Sequence, residues 1–377
     1  MKSSFAQILE RMASESAAKM EDKIPQWAGV PGITVPSGLS LEQCSSSATA
    51  LSKARTAARL AGPRGRIADL TGGLGVDAWA FSAVAEQVLY NEKDPAIFNS
   101  VKQNFAALGI KNVVFSNLEV KPGGATALLV EFRPDLIYLD PARRDGTGKK
   151  VFLLEDCSPD ITALKDELLA ICPRIMVKLS PMADINMVCC RLGCVSEIHI
   201  VEHGSECKEL LCILQKDFTG EPLTILECGD ATLEFRQEEE KSAKCFFPSS
   251  GEEYRWLFIP GSAAMKAGAF KLLSQRFGLK KLAPSTHLYF CNRKDDALLP
   301  FGKFRAVSGI RPLNGAEMRR TGKEFPRCGV TARNIPMTSE ALRKKMGSAD
   351  GGEAHVYGVE IAWSDAAPGR FLIISNS

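Results

Sequence analysis

The sequence predicts an α/β fold built on a doubly wound, mostly parallel sheet. Strand-like and helix-like runs alternate five times between residues 66 and 192, two long strand-like runs follow at 194–201 and 209–214, and a glycine-rich turn, Gly72-Gly73-Leu74-Gly75, comes directly after the first strand. Alternating strands and helices close into a parallel sheet covered on both faces, because each helix hides one apolar stripe and each strand is buried on two sides. The last two runs are joined by "VEHGSE", which reads as a hairpin turn and places an antiparallel strand at or near an edge.

In chain order, residues 2–22 read as an amphipathic helix, with Phe5, Ile8, Leu9, Met12 and Met20 near helical spacing. A Pro/Gly-rich passage from Pro25 to Gly38 leads to a second helix at 40–60, stopped by Gly62-Pro63. The alternating block has strands at 67–70, 87–91, 112–116, 135–140 and 174–179, and helices at 76–84, 95–108, 155–171 and 185–192. Beyond it, "TILECG" and "DATLEFR" suggest a small β pair, and "RWLFIP", a helix at 263–277 and "THLYFC" a further α+β piece. The expected segmentation is an N-terminal helical segment (1–63), a Rossmann-like domain (64–217), a connecting β segment (218–256) and two small α+β modules (257–303 and 304–377).

Composition narrows the class. The 377 residues are 45% hydrophobic and 24% charged, with 47 Lys+Arg against 44 Asp+Glu, which excludes a disordered chain, a collagen and a coiled-coil rod. No run approaches the ~18 apolar residues of a membrane span. Residues 1–22 lack the apolar centre of a secretory signal, so a cytoplasmic protein is expected. The twelve cysteines contain no CxxC, and with only four histidines no metal site is expected; the thiols read as reduced and largely buried. The net charge of +3 hides an uneven distribution: residues 301–345 hold eleven Lys/Arg and three Glu, a local +8.

The chemistry concentrates in "ADLTGGLGVDAWAF", residues 68–81. The glycines let the backbone bend and approach a ligand. Residues 73–78 fit the dinucleotide form G-x-G-x-x-A literally, but Asp69 at the strand end favours S-adenosylmethionine: a carboxylate there can hold the α-ammonium that NAD lacks. The second strand ends "YNEKD", where Glu92, with Asp94 beside it, can accept hydrogen bonds from ribose hydroxyls. Asn117, past the third strand, stands where an adenine contact is expected. The fourth strand ends "DLIYLDPARRDGTGKK", where Asp140 can orient or deprotonate a nucleophilic nitrogen and Pro141 stiffens the loop. Arg143 and Arg144 either clamp an anion or form a solvated pair. Lys178 and Ser180 in "VKLSPMAD" either line the same pocket or belong to a plain strand-to-helix turn with Asp184 as N-cap. Gln43, Ser45 and Ser46 either contact the cofactor or, for the serines, cap the following helix. Cys157 in "EDCSPD" is the one candidate for a nucleophilic thiol, against ordinary packing as a small hydrophobe.

On these motifs the chain resembles the class I S-adenosylmethionine-dependent methyltransferases over residues 66–216, and within them a bacterial group related to RNA methyltransferases. The turn is also similar to that of trimethylguanosine synthase-type enzymes, which carry Asp/Asn/Ser-Pro-Pro-aromatic when they methylate an exocyclic amine; Asp140-Pro141-Ala142-Arg143 lacks the second proline and the aromatic. Residues 330–358 resemble the THUMP-like module appended to such enzymes, and 257–303 the ferredoxin-like module beside it. The resemblance implies S-adenosyl-L-methionine held by Asp69, Thr71, Gly72, Gly73, Gly75, Asp77, Glu92, Asp94 and Asn117. It further implies Asp140 and Pro141 in the acceptor loop, Arg143, Arg144, Lys178 and Ser180 at the substrate, and RNA as partner. The +8 stretch fits RNA physically, since Lys/Arg clusters gain affinity by releasing phosphate counterions. The competing expectations are a methyltransferase for a small molecule or protein, and a nonenzymatic RNA-binding protein with a degenerate cofactor fold. An NAD(P) oxidoreductase is disfavoured by Asp69.

Overall fold

The computed structural model describes residues 17–143 and 154–376. They fall into two units, Met1–His203 with Lys208–Pro222, and Gly204–Cys207 with Leu223–Ser377. Most of the helix expected at 2–22 lies outside the described residues; its end is α1 at 17–23. Lys23 of α1 donates to the carbonyls of Leu41 (2.9 Å) and Glu42 (2.6 Å) in helix α2 (Gly38–Gln43), two of the carbonyls that a helix end leaves unsatisfied. The single helix expected at 40–60 is two. Cys44 turns extended, and Ser46 caps α3 (Ser47–Ala61) by accepting from Thr49 N–H.

The sheet of the first unit then follows the expected alternation: β1 (Arg66–Asp69), α4 (Val76–Ser82), β2 (Gln87–Asn91), α5 (Pro95–Ala107), β3 (Val113–Ser116), α6 (Thr126–Phe132) and β4 (Leu136–Leu139). After it come β5 (Ala142–Arg143), β6 (Cys157–Ser158), α7 (Ile161–Ile171), β7 (Arg174–Leu179), α8 (Ile185–Leu192), β8 (Val195–His203) and β9 (Glu206–Gln215). The strand order is β8-β9-β7-β4-β1-β2-β3. From β7 to β3 the strands are parallel, while β9 runs antiparallel to β7. Ile67, Ala68, Val88, Leu89, Leu136 and Ile137 are fully buried, as parallel strands covered on both faces must be. Two elements depart from the expected pattern. Helix α6 fills a stretch with no sequence assignment. The helix expected from residue 155 begins only at Ile161, because Pro159 holds Ser158 extended and Asp160 caps the helix on Thr162 N–H. The freed residues 157–158 pair with 142–143 just after Asp140.

The second unit starts with an antiparallel pair, β10 (Leu223–Cys228) and β11 (Ala231–Phe235), then α9 (Gln237–Ser242). There follow β12 (Trp256–Pro260), α10 (Ser262–Ala267), α11 (Phe270–Phe277), β13 (Lys280–Ala283), β14 (Thr286–Cys291) and β15 (Gly302–Pro312). The unit ends with α12 (Gly315–Glu324), β16 (Gly329–Arg333), α13 (Ser339–Met346), β17 (His355–Ile361) and β18 (Gly369–Asn376). The helix expected at 263–277 breaks at Gly268, whose φ of +73° is left-handed. Its second half is capped from a distance: the Glu240 carboxylate accepts the N–H groups of Lys271 and Leu272. Seven strands form one sheet, β13-β14-β12-β15-β18-β17-β16, so the segments 257–303 and 304–377 meet edge to edge at β12 and β15. One face packs Val356, Leu372 and Ile374 under Met318, Leu342 and Met346 of α12 and α13. The sheet curls, and Ala362 N–H after β17 donates to Leu282 of β13 at 2.6 Å. Among the described residues no helix is long and apolar enough to cross a membrane.

Candidate functional site

In the first unit β1 and β4 are neighbours, with β2 and β3 on one side and β7 on the other. At such a switch point the connections leave in opposite directions and open a crevice at the carboxyl ends of the strands. The glycine turn lies there. Gly72 N–H donates to Asn91 O (2.8 Å), Gly73 N–H to Glu92 Oε2 (2.9 Å), and Tyr90 Oη to Gly73 O (2.5 Å). A Cβ on Gly72 would stand 2.1 Å from the Tyr90 ring, so only glycine fits. Gly75, at φ +82°, starts α4.

Asp69 is fully buried behind this turn. Its Oδ1 accepts Thr71 N–H (3.1 Å), and its Oδ2 has no partner among the described residues. Burial, with Asp77 adding like-charge repulsion, pushes its carboxyl well above the usual carboxylate range. Thr71 Oγ1 accepts Asp140 N–H at 2.6 Å and so ties the turn to the end of β4. Glu92 Oε1 accepts Asp94 N–H (2.8 Å), and Asp94 caps α5.

A cavity of about 530 Å³ opens in front of the turn, the size of a small-molecule site. Its wall brings together Thr71, Gly72, Gly73, Gly75, Asp77, Glu92, Asp94, Asp140 and Lys178. Gln43 at the end of α2 and Ser45 in the break after it join them. Other anticipated residues stand elsewhere. Asn117 is not in the wall, since its Nδ2 donates to Glu92 O (2.5 Å), and Leu118, Glu119 and Val120 take that side. Ser180 accepts Met182 N–H (3.2 Å) instead of facing the cavity, and Asp184 caps α8. Ser46 is a helix cap. Pro141 is not in the wall, nor is Cys157, which is buried in β6. Arg143 is described only by its backbone pairing with Cys157, and Arg144 lies outside the described residues.

Behind the wall the structure adds residues that the motifs do not reveal. Lys53 of α3 is fully buried, with Nζ 2.9 Å from Glu209 Oε1, 3.1 Å from Asp77 Oδ1 and 2.8 Å from Ser45 Oγ. Ser45 Oγ (2.9 Å) and Tyr138 Oη (3.0 Å) both donate to Asp77 Oδ2. Lys178 Nζ is 2.6 Å from Asp140 Oδ2 and 3.9 Å from Glu209 Oε2. Burial alone would raise the Asp77 carboxyl, but Lys53 and Lys178 outweigh it and the net shift is downward. Burial would also lower Lys178, yet Asp140, Glu209 and Asp77 together hold it above its ordinary value, so it stays an ammonium at neutral pH. Burial raises Glu209. One signal was available: on α3 the buried stripe Ala50, Ala57 and Leu60 includes Lys53 at helical spacing, and a lysine on an apolar stripe calls for a partner.

The comparisons with known proteins fall on both units. Residues 256–297 match a family model described as a ferredoxin-like domain. The crystal structure of a candidate methyltransferase from Porphyromonas gingivalis W83 is 31% identical, with a TM-score of 0.81, over 96% of this chain and 88% of that one. An rRNA methylase from Streptococcus thermophilus is 14% identical, with a TM-score of 0.31, over 44% of this chain and 94% of that one. A candidate methyltransferase from Streptococcus mutans, in complex with SAH, is 11% identical, with a TM-score of 0.31, over 43% and 94%. Likeness at a TM-score of 0.31 carries neither fold nor function. No curated protein matches the chain.

Proposed function

We propose that this chain, which belongs to the family of the candidate methyltransferase from Porphyromonas gingivalis W83, is an S-adenosylmethionine-dependent methyltransferase acting on RNA. The observation that carries the cofactor is the orphaned Oδ2 of Asp69, a fully buried carboxyl oxygen without a partner among the described residues, which is not itself in the cavity wall but lies behind the glycine turn that forms it. Such an oxygen costs folding energy unless a ligand supplies a donor, and the α-ammonium of S-adenosylmethionine is one. Asp69 and the turn would hold the methionine part and Glu92 the ribose, while Asp140 stands at the acceptor side. When bound, the cofactor supplies an electrophilic methyl group. The protein's own contribution is alignment and exclusion of water.

Calorimetry with S-adenosylmethionine tests this. Asp69→Asn should weaken binding by about 100-fold, on the order of 3 kcal/mol for a lost charge-assisted hydrogen bond. Because the Asp69 pKa is raised in the free protein and the ligand needs the ionised form, affinity should fall as pH drops through that raised value, and the variant should lose this dependence. Unchanged affinity in Asp69→Asn would sink the assignment.

RNA is favoured by the second unit. Helices α12 and α13 expose Arg319, Arg320, Lys323, Lys344 and Lys345 to solvent. Reversing Arg319, Arg320, Lys344 and Lys345 should weaken RNA binding in a gel-shift titration and flatten its salt dependence by about one unit of log–log slope for each phosphate no longer neutralised. If the slope is unaltered, the reading shifts to a small-molecule or protein acceptor.

A further inference from the structure

The acceptor side of the cavity pairs a cation with an anion: Lys178 Nζ lies 2.6 Å from Asp140 Oδ2, and both side chains are in the wall. Asp140 Oδ1 makes no hydrogen bond among the described residues, and the side chain is 31% exposed, enough to meet a substrate. Two charges stand behind the pair, Glu209 at 3.9 Å from Lys178 and Lys53 at 2.9 Å from Glu209, each side chain 3% exposed or less. The arrangement alternates in sign, Asp140, Lys178, Glu209, Lys53, and is assembled from β4, β7, β9 and α3.

Hydrogen-bond complementarity says which acceptor atom suits it. An exocyclic amine on a base offers two N–H donors and a delocalised lone pair, so it calls for two acceptors and a flat surface to hold the ring. Beside the Asp140 carboxylate stands an ammonium, which can only donate and so gives an amine no second acceptor there. A hydroxyl offers one proton and two lone pairs. It matches one carboxylate and one ammonium, donor to acceptor in both directions.

We propose that the methyl acceptor is a hydroxyl oxygen, the ribose 2′-hydroxyl of RNA, with Asp140 taking its proton, Lys178 stabilising the charge that develops on oxygen, and Glu209 and Lys53 acting as positioning residues. The inference rests on the reading of the chain as an RNA methyltransferase. The oxygen forms a new O–C bond while the C–S bond of the methylsulfonium donor breaks and leaves its electron pair on sulfur. The hydroxyl proton passes to Asp140 Oδ1, and Lys178 remains an ammonium throughout. Its raised pKa, imposed against burial by the three surrounding carboxylates, is consistent with a fixed cation.

The experiment uses the full chain, S-adenosylmethionine labelled in the methyl group, and bulk RNA from cells that lack the gene. Alkali cleaves RNA only next to a free 2′-hydroxyl, so labelled 2′-O-methyl sites survive as dinucleotides, whereas base methylation yields labelled mononucleotides. Label in dinucleotides is the expected result. Label in mononucleotides overturns the proposal and leaves the RNA methyltransferase reading standing. No label in RNA overturns both. A DNA strand of matching sequence should accept no label; if it does, the hydroxyl is not the target. Lys178→Ala should lower kcat by about 10²–10³-fold. Lys178→Arg, which keeps the cation but moves its donors, should also lose turnover while melting like wild type. In both, calorimetric affinity for S-adenosylhomocysteine should stay within about threefold. Glu209→Gln should change kcat and its pH profile with little change in KM; an unaltered profile removes Glu209 from the assembly.

Discussion

The two units bury lysines in opposite ways. In the first, Lys53 and Lys178 stand among carboxylates, Glu209, Asp77 and Asp140, and for Lys178 the carboxylates outweigh the cost of desolvation and hold the ammonium charged. In the second, Lys281 is 2% exposed and its Nζ donates to two carbonyls, Ala283 O (2.7 Å) and Pro284 O (2.6 Å). Here burial wins: two carbonyl dipoles and the charge of Glu240, which is not in hydrogen-bonding contact, do not repay desolvation, and Lys281 falls to about 8. Burial alone therefore does not decide whether an ammonium persists; the partner does. The first arrangement maintains charge at a cavity wall. The second fastens the turn after β13.

The largest test of this contrast is Lys53→Met. It removes the nearest cation from the buried Glu209 and Asp77, leaving only the farther Lys178, and should cost about 3–5 kcal/mol, seen as a melting point lower by on the order of 10 °C. Lys53→Met with Glu209→Leu should recover more than half of that loss, because the uncompensated charge goes too. If the double variant melts no higher than the single one, the loss is packing and not charge. Lys281 gives a smaller effect with a definite sign. The folded protein releases this proton near pH 8 while the unfolded chain keeps it to 10.5, so stability should rise with pH across that window, by on the order of 1–3 kcal/mol. Melting curves from pH 7 to 10.5 should show the rise in wild type and lose it in Lys281→Met. Smaller again is Glu197, whose carboxyl burial would raise but His199 and Arg59 pull down to about 2. The usual value is 4.5, so its contribution is full above that and is lost as pH falls through about 2. Arg59 is half exposed, which limits the contribution to about 1 kcal/mol; Glu197→Gln should raise the acid-unfolding midpoint slightly. Smallest for stability are the exposed cations of α12 and α13. Reversed one at a time, each should change stability by no more than about 0.5 kcal/mol, even as RNA affinity drops.

Strands and helices with a strong local pattern were legible. The strand at 174–179 and the helix at 185–192 stand where apolar periodicity and flanking caps place them. Helices were misjudged where a local residue overrides periodicity: Cys44 turns extended and ends one helix before Ser46 caps the next, Gly268 breaks another through its positive φ, and Pro159 delays α7. At the site, the contiguous turn from Thr71 to Gly75 was readable because its chemistry lies in consecutive residues. Asn117 and Ser180 were not, because each sits one or two residues from the cavity and spends its side chain on the backbone.

What the sequence determined by itself was therefore local and periodic: an α/β alternation, a glycine-rich turn after the first strand, and an acid at the end of each of the first two strands. Only the tertiary structure decided the charge assembly behind the wall. Lys53 and Glu209 are 156 positions apart and carry no motif; a helix packed on the sheet and a returning antiparallel strand bring them within 3 Å. A charge on an apolar face shows in sequence that a partner is needed, but electrostatic energy depends on distance in space, and that distance is set by the fold.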